Sequence, residues 1–267
     1  MKASLLCAVL PLGLRKHAAS WIGRQSWIPE RHWRAVALVR DLAQRDPEAY
    51  HRFLWSRHLG YAESYEPDER FGSLRPERQL LFQDLRRFLG ERAHEVQSVL
   101  EVGCSLGHLL RAAETELFAH ARVLEGLDID SYAVRKGNER LRHEGSNVRL
   151  MTADMSCMDE VLPPAPRYDV VLCAGVLMYL KEEAARRVMK DMLDRSRLLV
   201  LSGLAHPGFD NRDMPCSQPR ARDGAFIHNL DAMVGSCGGT VLFRRWQGSA
   251  PRGWNPPYFL FCSPGTP

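Results

Sequence analysis

Two rhythms divide the chain. From residue 97 onward, apolar runs of six or seven positions alternate with longer segments whose apolar residues recur every three or four places. The short runs fall at 97–102, 122–128, 147–152, 168–174 and 196–202, and the helical segments at 107–119, 131–143 and 181–194. Strands alternating with helices of this length build βαβ units and a parallel sheet covered on both faces. After a loop rich in Pro and Arg, "LAHPGFDNRDMPCSQPRARD", a helix around 225–236 precedes two last strands, "TVLFRRW" and "YFLFCS". The pattern predicts an α/β fold, doubly wound, with a mostly parallel seven-stranded sheet.

Upstream the period is helical throughout. "ERHWRAVALVRDLAQRD" puts Trp33, Val36, Ala37 and Leu42 near one face, and Pro47 opens the next segment, "PEAYHRFLWSRHL". A polar connector follows, and then "RQLLFQDLRRFLGER" shows Leu80, Leu81, Leu85, Phe88 and Leu89 at helical spacing, with Gly90 as terminator. We expect a helical N-terminal extension over 1–90 and a ligand-binding α/β domain over 91–267. The spaced tryptophans Trp21, Trp27 and Trp33 read as core or interface anchors rather than a ligand cage.

Composition narrows the function classes. The 45% hydrophobic and 25% charged fractions suit a globular protein with a real core. The net charge of +4 comes from basic residues interleaved with acids, and no basic tail, zinc knuckle or RNP-like strand is visible, which argues against a nucleic-acid partner. Seven cysteines lie far apart with no C-x-x-C pair, so we read a reducing, cytoplasmic setting and no metal. The apolar start "MKASLLCAVLPLGLRKHAAS" is too short to span a bilayer and lacks a clear cleavage site, so a docking helix or a frayed start is preferred to export or membrane association, and no integral membrane segment is expected.

The chemistry concentrates in "SVLEVGCSLGHLLRAA", residues 98–113. In open α/β sheets ligands sit beyond the C-terminal ends of strands, where strand order reverses. Gly103 and Gly107 let the backbone approach a ligand, and the first amides of the following helix favour a negative group. The spacing is neither the G-x-G-x-x-G of dinucleotide enzymes nor a P-loop. Glu101, two residues before the first glycine, repels a pyrophosphate and suits an ammonium group, so a ligand of amino-acid type fits better. Asp128 closes the second strand, 21 residues past Gly107, placed to accept from both hydroxyls of a ribose, and Ile129 offers an apolar edge for a base. In "LMTADMSCM", Asp154 is placed to accept from an adenine amine and the Met155 amide to donate to the ring. Amino acid, ribose and adenine in that order spell S-adenosylmethionine (SAM).

The segments "VLEVGCSLGHLL", "LEGLDIDSYAV", "RLMTADM" and "YDVVLCAGVLMYL" resemble the four successive nucleotide-side motifs of class I SAM-dependent methyltransferases, over about residues 80 to 203. The resemblance implies a Rossmann-like methyltransferase fold. By it Glu101, Gly103 and Gly107 hold the methionine part, Asp128 the ribose, and Asp154 with Met155 the adenine, while residues 173–175, beginning with Cys173, line the floor below the sulfonium. Two departures stand out. The fifth strand is approached by "MLDRSRLLVLS" without the Gly-Gly turn that many members carry, and the fourth motif reads "CAGVL" without the N-P-P-Y of amino-methylating enzymes. Asn255-Pro256-Pro257-Tyr258 contains that tetrapeptide, but ahead of the last strand, where a Pro-rich strand entry is the plainer reading.

We expect transfer of a methyl group to an oxygen or nitrogen of a small-molecule acceptor. A hydroxyl acceptor is helped by a general base, for which His206, after the fifth strand, and His228, in "FIHNLDAM", are the candidates; His108 reads as a helix residue. Tyr61 and Tyr65 are candidates for a lid, and Arg220 with Arg222 for an acidic acceptor. The competing reading is an idle SAM-binding or fold-only partner subunit; the presence of every cofactor residue favours the active enzyme.

Overall fold

The computed structural model describes residues 10–59, 74–162, 168–249 and 256–265. Four helices open it, α1 (Leu12–Arg24), α2 (Arg31–Ala37), α3 (Leu42–Arg45) and α4 (Pro47–Ser56), followed by α5 (Pro76–Leu89). Then β1 (Ser98–Val102), α6 (His108–Glu116), β2 (Val123–Asp128), α7 (Ser131–His143) and β3 (Arg149–Thr152) form the first half of the sheet. β4 (Tyr168–Ala174), α8 (Glu182–Asp194) and β5 (Ser196–Ser202) begin the second half. A small hairpin of β6 (Gln218–Pro219) and β7 (Phe226–Ile227), helix α9 (Leu230–Ser236), β8 (Gly239–Trp246) and β9 (Tyr258–Pro264) complete it.

The sheet order is β3-β2-β1-β4-β5-β9-β8. The first five strands pair in parallel, and β9 runs antiparallel to both β5 and β8. Strand order therefore reverses between β1 and β4, where the loops after these strands leave a crevice. The strands read as continuous apolar runs because both faces are covered. Alternate residues face opposite layers: Val170, Leu172, Val200 and Phe261 pack with α5 and α6, whereas Val171, Cys173, Leu199 and Leu260 pack with α8 and α9. Each fully buried Leu or Phe contributes roughly 1.5–3 kcal/mol, so this double layer dominates the stability of the sheet.

Two expectations change, and apolar packing crosses the expected boundary at residue 90. The helix around 225–236 begins only at Leu230, since Asn229 caps it by accepting from the Ala232 amide at 3.0 Å and Phe226–Ile227 is drawn into the small hairpin. The buried face of α2 is not the expected one, because Ala35, Leu38 and Val39 are covered while Trp33 is 75% exposed. The apolar clusters also do not divide at residue 90. Residues Ala19 to Leu59 form one cluster, while Leu81, Phe82, Leu85 and Leu89 of α5 belong to the sheet core. Asp84 anchors α5 to β8 by accepting two hydrogen bonds from Arg245, at 2.5 and 2.8 Å. Gly90 ends α5 with φ +55°, as its position suggested. Cys7, Tyr61, Tyr65 and Asn255 lie outside the described residues.

Candidate active site

One cavity of about 1020 Å³ opens at the C-terminal ends of β1, β2 and β4 and continues beneath α2 and α4. That is the upper end of the usual range for ligand sites, roughly 300–1,000 Å³, and leaves room for two ligands side by side.

On the sheet side, Glu101 sits in the central strand between Gly126 of β2 and Leu172 of β4. It is 4% exposed, and Oε2 has no hydrogen-bond partner. Burial pushes its carboxyl up to about 8, against the opposing pull of the Arg78 guanidinium. Arg78, on α5, donates to the Ala174 carbonyl at 2.5 Å. No motif announces Arg78; it reaches the site only because α5 packs along the sheet. Asp128 closes β2 with both oxygens at work: Oδ2 accepts from the Ser105 amide and Oδ1 from the Asp130 amide, each at 2.8 Å. Burial raises its carboxyl to about 6 even so.

The glycines have a local reason. Gly103 has φ +81°, and a Cβ there would lie 2.3 Å from a Val176 methyl carbon; the strand end can turn so tightly only without a side chain. Gly107, φ +84°, starts α6 and would crowd Leu141 and Leu150.

Of the residues predicted to hold a cofactor, Glu101, Gly103, Asp128, Ile129, Asp154 and Met155 line this cavity. Gly107 and Cys173 are not on its wall. Cys173 is 1% exposed within the sheet core, its thiol pushed up to about 12 by burial, and the wall at the end of β4 is made by Ala174 and Gly175. Asp154 accepts from Ser156 with one oxygen, and its other oxygen is engaged by Arg52 of α4.

The histidines predicted as bases lie elsewhere. His228 is 4% exposed with both ring nitrogens engaged: Nδ1 pairs with the Ser217 hydroxyl at 2.7 Å and Nε2 with the Leu177 carbonyl at 3.1 Å. His206 accepts from the Gly208 amide through Nδ1 at 3.1 Å and stacks on Phe209. Neither lines the cavity. His51 of α4 does. It is 5% exposed, its ring shares a hydrogen bond with the Asp223 backbone, and Nε2 has no partner. Burial lowers its imidazole to about 4, so it is neutral at neutral pH. Tyr179 packs against it, ring centroids 4.7 Å apart, and also against Trp55, one turn further along α4, at 5.3 Å. Sequence reasoning passed over His51 because nothing in "PEAYHRFLWS" distinguishes it from an ordinary helix histidine.

Arg220 and Arg222 also line the cavity, both against Asp223, which Arg220 holds through two hydrogen bonds at 2.9 and 2.5 Å. Of the N-P-P-Y stretch, Pro256 and Pro257 reach the wall, but Tyr258 is fully buried and donates its hydroxyl proton to Asp231 at 2.7 Å. Among the described residues no three His, Cys, Asp or Glu side chains are grouped to hold a metal ion.

The strand order, the antiparallel β9 and the cleft at the reversal point define the class I methyltransferase fold. Residues 99–197 match a methyltransferase-domain family model. A SAM-dependent methyltransferase from Leishmania major is similar over 83% of each chain, at 13% identity and a TM-score of 0.58. One from Clostridium acetobutylicum ATCC 824 is similar over 82% of this chain and 100% of its own, at 12% identity and 0.53. Magnesium protoporphyrin IX methyltransferase from Synechocystis PCC 6803, solved with bound SAM, is similar over 86% of this chain and 97% of its own, at 19% identity and 0.51. At such identities the structural likeness establishes the fold. No curated protein matches the chain by sequence. Residues 99–197 thus carry a methyltransferase-family domain, and the chain has the class I methyltransferase fold.

Proposed function

We propose that the sheet half of the cavity binds SAM and that the half beneath α2 and α4 holds a small-molecule acceptor methylated on oxygen or nitrogen. The observation that carries this reading is the buried, partnerless Oε2 of Glu101 in a cavity that also holds Asp128. A buried acceptor without a donor is costly, and an ammonium group satisfies it. Asp128 would take the ribose, Ile129 and Met155 the base, and Asp154 the adenine amine once Arg52 yields its oxygen. Arg78, beside Glu101, would meet the carboxylate of the methionine part. When bound, SAM supplies a methyl group on a sulfonium, ready for in-line displacement.

The chain's own residues then position the acceptor. Helices α1–α4 act as a cap held to the α/β domain by several polar links. His58 Nδ1 pairs with Asp130 at 2.7 Å, Glu48 accepts from the Lys181 amide at 2.9 Å, and Asp46 pairs with the Lys181 ammonium at 3.1 Å. We assign residues up to 59 to this cap and 74 onward to the methyltransferase domain. His51, neutral with a spare lone pair on Nε2, is the histidine suited to take an acceptor's proton, in place of His206 and His228. The buried thiols of Cys104, Cys173 and Cys262 accord with a reducing, cytoplasmic setting.

Calorimetric titration with S-adenosylhomocysteine tests the reading. Binding is expected to wild type and to be lost on Gly103→Val; a wild type that binds no adenosyl ligand overturns it.

A further inference from the structure

The α1–α2 hairpin presents a surface that the methyl-transfer site does not explain. Half of the chain's six tryptophans lie in it, and Trp21, Trp27 and Trp33 are 48%, 71% and 75% exposed. Leu14, 57% exposed, stands two helical turns before Trp21 and shares its face, and Trp27 packs edge-on against Trp21 with ring centroids 6.3 Å apart. Large aromatics left in water at this density mark an interaction surface.

The same stretch is strongly basic. Residues 10–40 hold Arg15, Lys16, Arg24, Arg31, Arg34 and Arg40 against a single acid, Glu30, whereas the whole chain carries only +4. The rest of the molecule is thus close to neutral, and the cationic excess sits on the cap. Arg15 is spoken for, buried and paired with Asp41 at 2.5 Å. Arg24, Arg34 and Arg40 are exposed and make no ion pair among the described residues.

We propose that this hairpin docks the enzyme on an anionic lipid bilayer. Indole rings favour the headgroup boundary, where the ring is dehydrated and its N–H stays solvated, and neighbouring cations are drawn to acidic headgroups. The charge distribution argues against a second copy as the occupant. A two-fold dimer through this face would set one cationic patch against another, with Glu30 the sole acid on each side. No described helix is long and apolar enough to cross a membrane, so the contact is peripheral. Trp33 also lines the cavity, as do His32, Val36 and Arg40, so the mouth opens on the docking face. An amphiphilic acceptor held in the bilayer would reach the site from there.

Co-sedimentation of the full chain with vesicles tests this, using phosphatidylcholine alone and phosphatidylcholine mixed with phosphatidylserine. The protein is expected to pellet with the mixed vesicles, to be released by high salt, and to show a blue shift of tryptophan emission on binding. Trp21→Ala with Trp27→Ala, and separately Arg24→Glu with Arg34→Glu, are expected to weaken binding about tenfold or more, with unchanged thermal melts by circular dichroism. Absence of binding to the mixed vesicles overturns the proposal, as does equal binding by both variants. So does sedimentation velocity that shows a lipid-free dimer abolished by the tryptophan substitutions. If a variant proves unstable, the salt and lipid dependence of the wild type decides by itself.

Discussion

The sheet wall buries Glu101 and the cap wall His51, and loss of water moves the two in opposite directions. Glu101, on a central strand, is raised to about 8, while His51, on a cap helix, is lowered to about 4. Both are thereby neutral near pH 7, one holding its proton and the other without one. The cavity therefore carries little charge at these two positions, and each waits on a partner for its unpaired atom. In the proposed reading that partner is an ammonium on the sheet wall and a donor to Nε2 on the cap wall. The walls differ also in what fixes them. Backbone turns and amide contacts to Asp128 set the sheet wall, while side-chain packing among His51, Tyr179 and Trp55 sets the cap wall.

The largest expected effect separates the two walls. His51→Ala should slow methyl transfer by about 10²–10⁴-fold, measured on an acceptor found by a methyl-release screen. Its affinity for S-adenosylhomocysteine should stay within about twofold of wild type, since the contacts of His51, with Tyr50, Tyr179 and Asp223, involve none of the residues proposed to hold the cofactor. A comparable loss in both would remove the division of labour. Gly103→Val should act in the reverse sense, abolishing cofactor binding because its Cβ has no room beside Val176 and φ is positive. Asp128→Ala should weaken S-adenosylhomocysteine by about 1–3 kcal/mol in calorimetry, as hydrogen bonds to a charged acceptor are lost.

Stability against pH sharpens the contrast further. Glu101 binds a proton more tightly when folded than when unfolded, so the ligand-free protein should lose stability as pH rises from about 4.5 towards about 8. His51 binds its proton less tightly when folded, so its contribution is lost as pH falls from 6.5 towards about 4. Thermal midpoints across this range should flatten on the alkaline side in Glu101→Gln and on the acid side in His51→Ala. Melting curves that keep both slopes in both variants would contradict these assignments. The smallest effect belongs to Arg52→Ala. That guanidinium is half-exposed against Asp154, so its loss should change stability by no more than about 1 kcal/mol while freeing Asp154 and leaving cofactor affinity equal or slightly higher.

Most of the sheet was legible in the chain because a parallel strand buried on both faces must be apolar throughout, and a helix between strands must be apolar on one side. The five parallel strands therefore lie within two residues of where the pattern placed them. Glu101 and Asp128 were legible for a related reason: an acid at the end of an apolar strand stands out against its neighbours. The cap was harder. Trp33 shares a face with Val36 and Ala37 by spacing and read as a core or interface anchor, yet periodicity gives the faces of a helix without saying which one is covered. Cys173 was placed one residue too deep, since pleat direction at a strand's last positions depends on its partners. His206 and His228 drew attention by lying near strand and helix ends, but their ring nitrogens or ring faces serve local structure.

What the sequence determined by itself is the order of strands and helices and the acids and glycines at the first turn. Those follow from contacts between near neighbours and from backbone conformation. Only the tertiary structure decided that His51 meets the cavity while His206 and His228 do not, that Arg78 stands beside Glu101, and that Trp21, Trp27 and Trp33 face outward. Each of these depends on how a cap helix or α5 is laid against the sheet, which no local pattern encodes, because packing between distant segments is fixed by the shapes of both surfaces at once.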